Sequence, residues 1–240
     1  MKNIAIRLCL AWLTMVPAWS LAGEELGTAL SAKGGEPVPY VLNFKNLAPK
    51  YVLVLFPGGS GVVDPRMEDG ELVYRAKGNF LLRARKFLVD DEFVTVATNS
   101  TSDTEKVQTL IDDLKKRFPQ ARIYFMGTSR GTYATLELAD YLADKVAGEI
   151  HTASMARIDA FDARKHANRH LIVHHKDDPC WVTPFASAEA AHKKYGNDFI
   201  AMEGGISVGK ACEARSHHGF NGIEQETAEA IKTWVRRDHK

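Results

Sequence analysis

The sequence predicts a single α/β domain in which buried strands alternate with amphipathic helices. Residues 51–56 form a continuous apolar run that ends at Pro57 and two glycines, which is typical of a strand buried on both faces. Residues 79–89 instead repeat apolar side chains at the helical period. A chain of 240 residues is long enough to enclose a sizeable core of this kind in one domain.

The same alternation continues along the chain. Further strands are predicted at residues 40–44, 93–98, 122–126, 148–155, 170–174 and 199–202. Further helices are predicted at residues 102–118, 132–142, 183–195 and 223–236. The first of these helices opens with a capping box from Ser102 to Glu105 and ends before Pro119. The segment 156–169 is too short to form a large lid.

The most informative motif is Gly127-Thr128-Ser129-Arg130-Gly131, which lies between the predicted strand 122–126 and the predicted helix 132–142. This context is that of a nucleophile elbow, a sharp strand-to-helix turn that exposes one serine above a sheet. Side chains at either glycine would collide with the neighbouring strand or helix, and the serine backbone is expected to be strained. Ser129 is therefore the predicted nucleophile, and the helix start behind it favours a developing negative charge.

A second glycine-rich loop, Gly58-Gly59-Ser60-Gly61, follows the first buried strand directly. Beside an elbow, such a loop is the expected source of the second oxyanion donor. We expect the backbone N–H of Gly59 in this role, with Ser60 as the alternative, paired with the backbone N–H of Arg130. A phosphate-binding P-loop is excluded because no Gly-Lys-Ser/Thr follows.

Downstream residues supply an acid and then a histidine. Asp178 lies just past the predicted strand 170–174, where ligand-facing residues of open α/β sheets are found. Asp177 is the alternative acid, and either carboxylate could instead cap the next helix. His218 lies between the last predicted strand and the last helix and is the expected base, with His217 as the alternative.

The first 22 residues have the pattern of a signal peptide. Lys2 and Arg7 precede a short apolar run, and Ser20-Leu21-Ala22 is a small-x-small cleavage pattern before Gly23. Residues 23–240 are then one domain that is exported to the periplasm or secreted, with no stable membrane anchor after cleavage. Without Lys2 and Arg7 the chain has 29 basic and 30 acidic residues, and no basic stripe indicates a nucleic-acid partner.

Two cysteines, Cys180 and Cys212, remain after this cleavage. An even pair in an oxidising compartment predicts a disulfide. Cys180 follows the proposed acid by two residues, and Cys212 precedes the proposed base by six. The bond would therefore hold the Asp178 and His218 loops together.

With Ser129, Asp178 and His218 in this order, the chain resembles the α/β-hydrolase superfamily. It is most similar to small, lidless esterase and dienelactone-hydrolase-like members, which often carry the His-Gly-Phe found at 218–220. The resemblance implies an eight-stranded, mostly parallel sheet flanked by helices. The chain departs from the family pattern at two positions. Pro57 lies where many members have histidine. Arg130 follows the nucleophile, and its side chain could contact a substrate carboxylate or pair with an acidic neighbour.

The expected activity is cleavage of a carboxylic ester in a small-molecule acyl substrate, through an acyl-enzyme and without a cofactor. Amide or short-peptide cleavage is the alternative chemistry, and an exported, non-catalytic binding protein on the same fold is the alternative class. Several histidines are candidate metal ligands: His170, His174, His175, His217 and His218. Adjacent histidines point to opposite faces of a strand, so no metal is expected there. Nothing in the sequence indicates an oligomeric state.

Overall fold

The computed structural model describes residues 23–237. The predicted signal peptide, residues 1–22, lies outside the described residues, as do residues 238–240. The strands are β1 Gly23–Ala29, β2 Val38–Phe44, β3 Tyr51–Phe56, β4 Arg66–Glu68, β5 Glu71–Val73, β6 Phe93–Ala97, β7 Arg122–Thr128, β8 Gly148–Thr152, β9 Arg169–His175 and β10 Asp198–Met202. The helices are α1 Phe80–Leu88, α2 Thr104–Arg117, α3 Thr132–Leu142, α4 Phe185–Tyr195 and α5 Glu224–Arg236.

Eight of these strands form one mostly parallel sheet in the order β1-β2-β6-β3-β7-β8-β9-β10. Strand β2 runs antiparallel to both of its neighbours, β1 and β6. The five pairings along the sheet from β6 to β10 are all parallel. Because parallel strands end at the same edge, the loops after β3, β7 and β9 lie at one rim of the sheet. The predicted α/β architecture is confirmed, with β4 and β5 as a separate two-stranded hairpin.

Helices cover both faces of the sheet. On β3, Leu53 and Leu55 pack with α1 and α5, whereas Val52 and Val54 pack with α2 and α3. All six β3 residues are buried, as the continuous apolar run predicts. A smaller apolar cluster between α3, α4 and β9 closes the far side of the sheet around Ile172.

Three details differ from the sequence prediction. The cap of α2 is Asp103, whose carboxylate accepts hydrogen bonds from the backbone N–H groups of Glu105 and Lys106, so the Ser102 capping box is wrong. The strand predicted at 148–155 ends at Thr152, because Ala153 turns to a φ of +42°. Strand β1 was not predicted, since its Gly-Glu-Glu start lacks an apolar pattern; pairing with β2 forms it.

Between residues 23 and 237, no helix is both long and apolar enough to cross a membrane.

Candidate active site

Ser129 sits at the sharp turn between β7 and α3. Its φ is +51°, a left-handed backbone conformation that is rare for a non-glycine residue. A Cβ atom on Gly131 would lie 2.0 Å from the carbonyl oxygen of Phe56, and one on Gly127 would lie 2.7 Å from the Gly131 carbonyl oxygen. Both glycines are therefore required by close packing of the turn against β3 and against itself.

The turn is held from below by Thr132, the first residue of α3. Its hydroxyl donates to the Ser129 carbonyl oxygen at 2.6 Å and accepts from the backbone N–H of Met155 at 3.2 Å. Since α3 begins immediately after the turn, the positive end of its dipole lies at Ser129. The serine side chain is half-buried and so remains reachable.

Asp178 lies in the loop after β9, and its carboxylate accepts several hydrogen bonds. One oxygen, Oδ1, accepts from the backbone N–H of Cys180 at 2.9 Å. The other, Oδ2, accepts from His218 Nδ1 at 3.0 Å, His174 Nε2 at 3.1 Å and Thr183 Oγ1 at 3.1 Å. Burial raises the pKa of this carboxyl, but the hydrogen bonds from the histidines outweigh burial, and the pKa lies well below its ordinary value.

His218 is buried in a short 3₁₀ turn, His217–Gly219. Because its Nδ1 faces a carboxylate, Nδ1 carries the proton and Nε2 is left with a lone pair. The two residues that follow His218 fix its position. A Cβ on Gly219 would lie 2.1 Å from the Ala214 carbonyl oxygen, so the backbone packs tightly there. The fully buried Phe220 ring packs on Phe80 at a centroid distance of 4.6 Å. The sequence His-Gly-Phe is thus a histidine anchored to the core on its C-terminal side.

The predicted disulfide between Cys180 and Cys212 is present, and the two Cα atoms are 4.6 Å apart. It joins the loop that carries Asp178 to the loop that carries His218. Cys180 is buried, whereas Cys212 is exposed beside the site. Two long loops are thereby held in one arrangement by a covalent bond.

The glycine-rich loop after β3 packs directly against the elbow. A Cβ on Gly58 would lie 2.8 Å from Ser129 Cβ and 3.5 Å from the backbone nitrogen of Arg130. The hydroxyl of Ser100 holds this loop by donating to the Pro57 carbonyl oxygen at 2.5 Å. Gly59 follows with a φ of +67° and is exposed toward the site.

Ser129 and His218 line the same open cavity, whose volume is about 280 Å³. Its other lining residues are Gly58, Gly59, Ser60, Ala76, Asn79, Phe80, Thr128, Cys212, Ala214 and Gly219. Backbone groups of the glycine-rich loop form one wall, and apolar side chains of Ala76, Phe80 and Ala214 form another. Asp178 lies behind His218, away from the cavity. The rim therefore brings together the predicted nucleophile, base and acid, with the glycine-rich loop beside them.

The alternative residues lie elsewhere. Asp177 is exposed, and its backbone N–H donates a hydrogen bond to His175 Nδ1 at 3.0 Å. The His217 ring stacks on His175 at a centroid distance of 4.3 Å and does not line the cavity. Ser60 does line the cavity beside Gly59. The Arg130 side chain is exposed, and no acidic side chain in the described part of the chain forms an ion pair with it.

Two residues that hold the acid were missed by sequence reasoning. His174 and Thr183 both contact Asp178 Oδ2, and Thr183 Oγ1 also lies 3.1 Å from His218 Nδ1. From the sequence, His174 is only a candidate metal ligand, because its contact with Asp178 depends on the path of the loop after β9. The contact of Thr183 depends on how the loop folds back, which no local pattern predicts.

The five histidines considered for a metal have three different surroundings. His170 contacts His151, His174 contacts Asp178, and His175 stacks on His217. Side-chain ligand atoms of His175, Asp177 and His217 do approach within 4.8 Å of one another. However, His175 Nε2 donates to the Gly204 carbonyl oxygen at 2.8 Å and Nδ1 accepts the Asp177 N–H, so both ring nitrogens are already engaged.

Comparison with known proteins rests on structure, because the sequence matches no family model and no curated protein. Est1E from Butyrivibrio proteoclasticus is 15% identical with a TM-score of 0.62, covering 89% of this chain and 98% of its own. XC6422 from Xanthomonas campestris, described as an α/β serine hydrolase without a lid, is 13% identical with a TM-score of 0.57, covering 87% and 94%. The Pyrococcus horikoshii acylaminoacyl peptidase is 15% identical with a TM-score of 0.55, covering 91% of this chain and 41% of its own. The chain therefore has the lidless α/β-hydrolase fold.

Proposed function

We propose that the protein is a serine hydrolase that cleaves carboxylic esters through an acyl-enzyme intermediate. The observation that supports this most directly is the convergence at one cavity of Ser129, on a strained turn, with His218, whose Nδ1 donates to Asp178. Nucleophile, base and orienting acid are the three parts such a reaction needs.

In the first half of the proposed reaction, His218 Nε2 accepts the proton of Ser129 Oγ as the oxygen bonds to the substrate carbonyl carbon. The tetrahedral intermediate then expels the alcohol, which takes the proton from His218. In the second half, His218 removes a proton from water, which attacks the acyl-enzyme. The carboxylic acid leaves, and Ser129 regains its proton. Asp178 keeps Nδ1 protonated throughout and stabilises the imidazolium.

The oxyanion is proposed to be held by the backbone N–H groups of Arg130 and Gly59, with Ser60 as the alternative second donor. Arg130 follows the nucleophile, and its nitrogen lies where a Gly58 Cβ would approach to 3.5 Å. This contact supports the pairing of the two loops, because both donors must be aimed at one point. The start of α3 adds a favourable dipole.

The proposed substrate is a small ester with a short acyl group. A cavity of about 280 Å³ is slightly smaller than the usual range for small-molecule sites, roughly 300–1,000 Å³. The disulfide supports export to the periplasm or to the medium, since such bonds persist in oxidising compartments. An amide or peptide substrate is the second candidate, because the same groups cleave both bonds and the fold is shared with an acylaminoacyl peptidase.

Labelling with an active-serine phosphonate, followed by hydrolysis of p-nitrophenyl esters of increasing chain length, tests the proposal. We expect wild type to be labelled and Ser129→Ala to be unlabelled and inactive, with acetate and butyrate cleaved faster than longer esters. Labelling that persists in Ser129→Ala would reject the nucleophile. Absence of labelling in a folded wild type would favour a non-catalytic binding protein, and faster cleavage of acyl-amide substrates would favour the second candidate.

A further inference from the structure

A group of ionisable side chains on β8 and β9 has no role in the proposed reaction. Glu149 and His151 are two residues apart on β8, so both point to the face covered by α3 and α4. His170 on β9 is the register partner of Glu149 and points the same way. Glu149 and His151 are completely buried, and His170 is 4% exposed.

Polar atoms in this group lack partners. Glu149 Oε2, His170 Nε2 and the neighbouring Asn168 Oδ1 are buried, and none has a hydrogen-bond partner among the described residues. The other carboxylate oxygen of Glu149 has only a long contact, 3.5 Å from Asn168 Nδ2. Since buried polar atoms are nearly always satisfied, the orphaned Glu149 oxygen indicates a missing partner for this group.

The geometry is that of a cation site. One ligand atom from each of Glu149, His151 and His170 lies within 4.8 Å of the other two. His151 Nε2 and His170 Nδ1 are 3.3 Å apart. Two nitrogens bound tetrahedrally to zinc at about 2.0–2.1 Å would be separated by roughly the same distance.

The buried ring of His151 is also held in the tautomer that a ligand needs. The Thr135 hydroxyl donates to the Thr132 carbonyl oxygen and lies 2.9 Å from His151 Nδ1, which it holds as the N–H. The lone pair of His151 is then on Nε2, facing His170. An outer partner of this kind fixes the tautomer of most metal-ligating histidines.

Two aromatic rings lie between His170 and an open surface cavity. The rings of Phe161 and His166 lie over His170, at centroid distances of 4.9 and 5.2 Å. The same two rings line an open cavity of about 230 Å³ on their outer side, together with Asp140 and Asp162. Movement of these two rings would therefore connect the group to this surface cavity, whose charged lining residues are Asp140, Asp162, Arg157 and Lys165.

We propose that Glu149, His151 and His170 bind one Zn²⁺ ion between β8, β9 and α3. Two imidazoles and a carboxylate are a donor set that suits zinc, and the fourth position is open to water. Through His151 and Thr135 the ion would brace Thr132, which holds the Ser129 carbonyl oxygen. Bound zinc thus stabilises the support behind the elbow without touching the reacting atoms.

The test uses the full chain stripped of metal with a chelator. We expect it to take up one equivalent of Zn²⁺, and Co²⁺ in its place to give the visible absorption of a tetrahedral site. At free zinc 100-fold above the dissociation constant, the melting temperature should rise by about 5–10 °C. Neither readout depends on ester hydrolysis, so failure here leaves the proposed function standing, and failure of the labelling experiment leaves this site standing.

Glu149→Gln keeps the shape of the side chain and should fold but lose both the zinc shift and the cobalt spectrum. His170→Gln should do the same, while the matched control His217→Gln, in the separate group of His175, Asp177 and His217, should keep both. Uptake well below one equivalent by wild type, retention of the spectrum in Glu149→Gln, or its loss in His217→Gln would overturn the assignment. If both ligand variants fail to fold, the wild-type stoichiometry and spectrum decide alone.

Discussion

Asp178 is the residue on which the candidate site depends most. Its Oδ2 accepts from His218, His174 and Thr183, while its neighbour Asp177 is exposed and contacts none of these side chains. Three donors on one oxygen fix the position of the carboxylate, and the lowered pKa keeps it ionised at acidic pH. The choice between two adjacent aspartates is thus a matter of which side of the loop each one faces.

Replacement of Asp178 by asparagine should lower kcat by about 10³–10⁴-fold, because the amide no longer fixes the proton on His218 Nδ1. Steady-state hydrolysis of a short p-nitrophenyl ester measures this, with thermal melting to show that the variant is folded. Asp177→Asn is the matched control and should stay within about twofold of wild type. A large loss in Asp177→Asn with a small loss in Asp178→Asn would reverse the assignment.

At the scale of elements, the decisive contact is that of the β7–α3 turn with the end of β3. The Gly131 Cα hydrogen occupies the place where a Cβ would collide with the Phe56 carbonyl oxygen. A rigid strand end cannot move aside as a flexible side chain can. The turn that exposes Ser129 is therefore also a point of tight backbone packing.

Gly131→Ala should destabilise the protein by about 3 kcal/mol, at the upper end of the cost of overpacking. The melting temperature should fall by about 6–12 °C. Gly78→Ala is the control, since an added Cβ there meets nothing within 4 Å, and it should change stability by less than about 0.5 kcal/mol. Equal melting temperatures for the two variants would show that the close approach at Gly131 is not as tight as described.

At the scale of the whole molecule, the site is assembled from loops far apart in sequence. Ser129 comes from the end of β7, Asp178 from the end of β9, and His218 from a long loop after β10. The sheet places the first two at one rim, whereas His218 lies 16 residues beyond the end of β10 at Met202. The disulfide between Cys180 and Cys212, separated by 32 residues, supplies that connection.

Reduction of this bond should lower the free energy of unfolding by about 3–4 kcal/mol in the chain-entropy model, or about 7–14 °C in melting temperature. Activity should fall as well, because Asp178 and His218 lose their common support. Reductant titration of wild type, with loss of the bond confirmed by mass, measures both effects. The double variant Cys180→Ala/Cys212→Ala should match reduced wild type and not respond to reductant; unchanged activity in reduced wild type would contradict the proposed role of the bond.

The α/β alternation, the position of the elbow and the disulfide were all predictable from the sequence alone. The apolar run of β3 and the periodic stripes of the helices fixed the α/β alternation, because burial on one or both faces leaves a local pattern. Gly127-Thr128-Ser129-Arg130-Gly131 located the elbow, since only glycine fits its two tight positions. The disulfide was predictable from a pair of cysteines.

Only the tertiary structure decided how distant side chains meet. The convergence of His174 and Thr183 on Asp178, and of Glu149 and His151 with His170, depends on strand register and loop path. The residues next to each of these side chains in the sequence give no indication of which side chain it contacts. Local patterns record which face of an element is buried, whereas the identity of what it is buried against is set by the packing of the whole sheet.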